Sequence, residues 1–115
     1  MIAVIFEVLP HSNQRETYLD IAAQLKPMLS EVDGFISIER FQSLADENKI
    51  LSLSFWRDEA AVCAWRNLEQ HRAAQASGRE AIFSNYRIRI AQVMRDYGLH
   101  EREQSPQDSQ DYHHG

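Results

Sequence analysis

The chain is poor in the features that mark many common functions. Cys63 is its only cysteine, which excludes an internal disulfide and any multi-cysteine metal site. It sits in the apolar run AAVCAW, where a thiol is expected to pack as a small buried hydrophobe. Glycine-rich phosphate loops and dinucleotide fingerprints are missing, so nothing in the sequence supports a bound nucleotide or nicotinamide. No apolar run approaches the roughly 18 residues that cross a bilayer. The opening MIAVIFEVLP lacks both a basic leader and a small-residue cleavage site, so a cytoplasmic protein that does not engage membranes is expected. Positive charge is scarce as well: twelve basic against seventeen acidic residues leave a net charge of -5, which disfavours nucleic acid and anionic lipid as partners. No set of His, Asp and Glu has the spacing of a metal site, and His11, His113 and His114 fall in a loop and a tail. Internal repeats and sustained heptads are also lacking.

What is present fits one domain, with 115 residues of which 43% are hydrophobic and 25% charged. Residues 2–9 are apolar except for Glu7, so this strand should be covered on both faces. Asn13 and Glu16 resemble a capping box, and Tyr18, Ile21, Ala22, Leu25, Met28, Leu29 and Val32 form a helical stripe. Pro27 should kink or break this helix near residues 24–26, and Gly34 should stop it. Residues 35–44 alternate weakly, with Ile36 and Ile38 opposed to Phe35, Ser37, Glu39 and Phe41. The ADENK turn then leads into the strand 51–56, where Leu51, Leu53 and Phe55 alternate with Ser52, Ser54 and Trp56. Asp58 caps a second helix with Ala61, Val62, Trp65 and Leu68 on one face, expected to break near Asn67 before a further helical segment. Residues 86–94 return to strand chemistry, Tyr86, Ile88 and Ile90 alternating with Arg87 and Arg89.

Strand, helix, strand, strand, helix, strand is the order of an α+β, ferredoxin-like βαββαβ sandwich with an antiparallel sheet. Two helices cover one face of four strands, so the other face needs a cover, and a second copy is the simplest one. Residues 1–98 form the domain. Residues 99–115 are a polar tail with almost no apolar content, expected to be disordered or to clasp a partner and to add little to stability.

The aromatic-Trp pair Phe55-Trp56, the acidic helix start at Asp58, Trp65 and the run HRAAQASGR at 71–79 resemble the antibiotic biosynthesis monooxygenase family over roughly residues 1–97. That resemblance implies a homodimer closed into an α+β barrel and oxygenation of a small aromatic, quinol- or phenol-type substrate with no metal, flavin or other cofactor. It makes Trp65 and His71 the catalytic candidates and Phe55, Trp56, Trp65, Arg79 and Phe83 the substrate contacts. An indole can wall an apolar cavity while pointing its N–H at a ligand oxygen, and a neutral imidazole can take a phenol proton. The plainer alternatives are a core tryptophan, a surface histidine and solvated arginines. A non-catalytic dimer that binds a small hydrophobic ligand is the rival reading. The family also has haem-degrading members, which use an Asn on the first strand and a His ten residues after the helix Trp. Here those places hold Phe6 and Glu7 on the strand and Gln75 after Trp65.

Overall fold

A computed structural model describes residues 1–73 and 82–108, with 69–73 defined by backbone only. The elements are β1 (Ile2–Pro10), α1 (Arg15–Leu29), β2 (Phe35–Gln42), β3 (Ile50–Trp56), α2 (Glu59–Ala73) and β4 (Phe83–Gln92). The strands form one sheet in the order β2-β3-β1-β4, and every neighbouring pair is antiparallel. This is the expected ferredoxin-like α+β fold.

Residues paired across antiparallel strands share a sheet face, so the registers define the two faces. Ile2, Val4, Phe6 and Val8 of β1 pair with Trp56, Ser54, Ser52 and Ile50 of β3, and these lie on the helix side. There the core forms two clusters. One holds Ile2, Leu29, Trp56, Ala61 and Val62, and the other Val8, Tyr18, Ile50 and Ile82. The bare side carries Ala3, Ile5 and Glu7 opposite Phe55, Leu53 and Leu51, flanked by Glu39 and Phe41 on β2 and by Arg87 and Arg89 on β4.

Several local expectations are corrected. The register of β2 shifts between Phe35 and Ser37, so Phe35 joins Ile38 on the helix side and packs edge-on against Trp56 at 5.3 Å. The capping box is not formed: α1 starts after Gln14 with no side-chain cap. Pro27 falls in the last turn, and α1 stays helical through Leu29 because a proline there costs one hydrogen bond at an end that already frays. α2 is likewise continuous through Asn67.

Asp58 does cap α2, its carboxylate accepting the Ala61 N–H at 3.0 Å. Arg57 donates to both oxygens of Asp33 at 3.2 and 3.1 Å and through Nε to Asp58 at 3.1 Å. The Arg57 hydrogen bonds hold the Asp33 carboxyl below the usual carboxylate range. The Ala61 N–H, seconded by Arg57, does the same for Asp58, and the two carboxylates raise Arg57 in turn. This clamp ties the α1–β2 turn to the β3–α2 turn. Gly34 sits between them at φ +94°, where a Cβ would meet the Ala61 Cβ at 2.8 Å.

Candidate active site

The site candidates start from an imbalance in helix cover. On the helix side, β4 presents Tyr86, Ile88 and Ile90, paired with Val8, Phe6 and Val4 of β1. Val8 is fully buried, yet Tyr86, Ile88 and Ile90 remain 46%, 45% and 47% exposed. The described parts of the helices therefore roof β1 and β3 and leave the outer strand open. The result is an apolar shelf along β1 and β4, on the side where the helices stand.

Aromatic rings close one end of the shelf. Phe6, Phe83 and Tyr86 form a triangle, with centroid distances of 5.6 Å for Phe6–Tyr86 and 5.9 Å for both Phe6–Phe83 and Phe83–Tyr86. Tyr18 of α1 packs on Phe83 from behind at 5.5 Å. Edge-to-face contacts of this kind hold rings at defined angles. The triangle is thus a shaped wall.

The two tryptophans divide their roles. Trp56 is 1% exposed, and its indole N–H donates to the Ser54 hydroxyl at 2.9 Å inside the core. It has no surface left for a ligand. Trp65, half-buried on α2, lies over Trp56 with centroids 6.5 Å apart and planes tilted by 31°. Among the described residues its N–H has no hydrogen-bond partner. Val4, which pairs with Ile90 of the shelf, packs against the same cluster as Trp65, so indole and shelf share one side of the sheet.

The other sequence candidates separate. Phe83 belongs to the aromatic wall. Phe55 is one residue from Trp56 and therefore faces the bare side, so it cannot share a pocket with Trp65. His71 lies on α2, its side chain beyond what is described, and Arg79 lies outside the described residues. Cys63 is exposed, against the expectation of burial: it points away from the sheet, its sulfur 3.9 Å from the Asn67 amide nitrogen. Among the described residues no three His, Cys, Asp or Glu side chains are grouped as metal ligands, and no helix is long and apolar enough to cross a membrane.

Phe6, Tyr86, Ile88 and Ile90 were not singled out from the sequence. Their alternation with Arg87 and Arg89 marked a shared face, but a strand's period does not reveal whether a helix covers it. The same alternation sends Arg87 and Arg89 to the bare side, where Arg89 and Lys49 flank Glu7 at 3.6 and 3.5 Å. On the described elements the shelf is carbon along Ile88 and Ile90, with the Tyr86 hydroxyl at one end and the Gln92 amide at the other, and the Trp65 N–H stands on the same side of the sheet. Such a surface suits a flat or ring-shaped molecule with one or two acceptor oxygens.

Comparison with known proteins places these features in a family. The family profile described as antibiotic biosynthesis monooxygenase matches residues 1–77. A jasmonate monooxygenase of Pyricularia oryzae is 47% identical over 93 residues, which is 81% of this chain and 43% of that protein. The chain thus spans less than half the length of this relative. Among solved structures, Rv0793 from Mycobacterium tuberculosis superposes with a TM-score of 0.72 at 14% identity, covering 84% of this chain and 98% of the other. The haem degrader MhuD from the same organism, with two haems bound, superposes with a TM-score of 0.65 at 17% identity over 85% of this chain and all of that one.

Proposed function

Because the chain belongs to the antibiotic biosynthesis monooxygenase family, we propose that it is a cytoplasmic, homodimeric monooxygenase that oxidises a small aromatic, quinol- or phenol-type substrate with molecular oxygen and without a cofactor. The observation that carries this reading is the half-exposed shelf of Tyr86, Ile88 and Ile90 beside the unpartnered Trp65 indole. A monomeric fold with no ligand has no reason to leave three large apolar side chains in a row unroofed on its helix side.

The chemistry asked of the protein is modest. A hydroquinone that loses a proton in an apolar site is electron-rich enough to reduce oxygen itself. One oxygen atom stays in the ring to give a hydroxyquinone, and the other leaves as water. The protein binds the ring, excludes solvent and takes the proton. Trp65 would donate its N–H to a ring oxygen, and Phe83 would pack on the ring. His71 is the candidate proton acceptor. On an unbroken α2 its Cα sits about 120° around the axis from that of Trp65, so its role rests on its own variant. His71→Ala should cost about 10²- to 10⁴-fold in rate if His71 is the base.

Oxygen uptake with a panel of hydroquinones, in the presence and absence of a chelator, tests the reading. Chelator-resistant uptake with incorporation of label from ¹⁸O₂ is expected. Thermal stabilisation by the same compounds without oxygen uptake would point instead to a non-catalytic ligand-binding member of the family. Haem is the weaker candidate because Gln75 stands where the haem-degrading members keep their histidine.

A further inference from the structure

β4 ends at Gln92, but the chain beyond it holds a shape of its own. Val93 donates its N–H to the Met1 carbonyl at 3.0 Å, the last rung beside β1. After that the segment bonds to itself. The Asp96 N–H donates to the Gln104 side chain at 2.9 Å, the Gly98 N–H to the Glu101 carbonyl at 2.8 Å and the Ser105 hydroxyl to the Arg102 carbonyl at 2.7 Å. The Arg102 guanidinium covers the Tyr97 ring at 5.3 Å and donates to the Gly98 carbonyl. Residues 93–105 are therefore a preformed arm.

The arm leaves apolar side chains open to solvent. Met94 is 84% and Leu99 81% exposed, and Tyr97 is also exposed. Ordering a segment costs about 1–2 kcal/mol per residue in backbone entropy, which burial normally offsets. For Met94 and Leu99 that burial is missing within one chain. The bare face of the sheet has the converse need, since Ile5, Leu53, Phe55 and Phe41 stand there without a cover.

We propose that residues 93–105 are an exchange arm that docks Met94, Tyr97 and Leu99 onto a second copy of this chain, beside the bare face of that copy's sheet. The inference rests on the dimer in the reading above and adds the element that clasps it. Charge supports a second copy as the occupant. The arm carries three carboxylates, Asp96, Glu101 and Glu103, against two arginines, while the bare face offers Lys49, Arg87 and Arg89 against Glu7 and Glu39. An acidic arm thus meets a basic face. In a symmetric pair each copy both gives and receives an arm, so every arm residue counts twice.

Met94→Asp/Leu99→Asp tests the arm without touching the interior, because both side chains are largely exposed in the single chain. The variant should keep the wild-type far-ultraviolet circular dichroism spectrum, while its dimer dissociation constant, from sedimentation equilibrium, rises at least about a hundredfold. Oxidation of Met94 by peroxide, followed by peptide mass, should slow about tenfold when wild-type protein is concentrated from monomer to dimer. A variant that dimerises like wild type, or a Met94 that oxidises in the dimer as fast as free methionine, overturns the arm while leaving the sheet-to-sheet dimer standing. A wild type that stays monomeric at micromolar concentration overturns both.

Discussion

Trp56 and Trp65 are in contact, and the structure requires that they fail in different ways. Trp56→Phe removes an indole that is 1% exposed and takes the hydrogen-bond donor from Ser54, itself 5% exposed. Leaving that hydroxyl unsatisfied costs about 1–3 kcal/mol, and the void left by the smaller ring adds roughly 1–2 kcal/mol. At about 3–5 °C per kcal/mol for a chain of this length, the melting temperature should fall by roughly 6–25 °C. Trp65→Phe is a different perturbation. The indole is half-buried and its N–H has no partner in the described protein, so the stability loss should stay within about 1 kcal/mol. If that N–H serves a ligand oxygen, affinity for the ligand should fall about two- to tenfold. Calorimetric melting of both variants, paired with ligand titration or oxygen uptake, separates the two roles. A Trp56→Phe protein that melts like wild type but loses turnover would refute the assignment of Trp56 to the core. A Trp65→Phe protein that loses stability but not affinity would return Trp65 to the core as well.

Three further outcomes follow from the fold. Gly34→Ala places a Cβ 2.8 Å from that of Ala61 at a φ of +94°; with about 1–2 kcal/mol for the left-handed conformation alone, thermal melting should show a loss of roughly 2–4 kcal/mol. Phe55→Asp puts a charge on the bare face and should dissociate the proposed dimer in sedimentation while leaving the circular dichroism of the single chain intact. Asp33 and Asp58 have folded-state pKa values below the ordinary carboxylate value, so their contribution is complete above that value and is lost as pH falls through the folded ones. Arg57→Gln removes the main cause of the Asp33 shift and should move acid unfolding, followed by circular dichroism below about pH 4, to higher pH; superimposable curves would mean that the clamp is ornamental.

The parts of the fold set by local chemistry were legible in the sequence. Alternation on β3 and β4 and the Asp58 cap depend on residues within one turn or one pleat, and all appear as expected. The features that were missed depend on neighbours far along the chain. The bulge after Phe35 moves that ring to the helix side because Trp56, twenty-one residues on, offers it an edge-on partner. Pro27 and Asn67 were read as breaks because propensity favours breaks there, yet packing of α1 and α2 on the sheet prevails. The candidate site was half legible for the same reason. Trp65 and Phe83 could be picked out as large aromatics, whereas the shelf depends on how far the described parts of the helices reach over the sheet.

That gap in the roof also explains why the bare face and the shelf must be kept apart in any account of function. Both are apolar and both lie on the same four strands, but the registers put Phe55 with one and Trp56 with the other. The bare face mixes its apolar side chains with Glu7, Lys49 and Arg89 in ion pairs of 3.5 and 3.6 Å. Polar and charged groups between apolar patches are what a protein surface needs to fix the register of a partner. Along β4 the shelf is carbon between the Tyr86 hydroxyl and the Gln92 amide, and a surface of that kind gives little register to a protein partner but suits a small ring. One sheet can therefore serve assembly on one side and chemistry on the other, and a substitution on either side should leave the opposite function intact. Phe55→Asp should therefore still bind the ligand of the shelf.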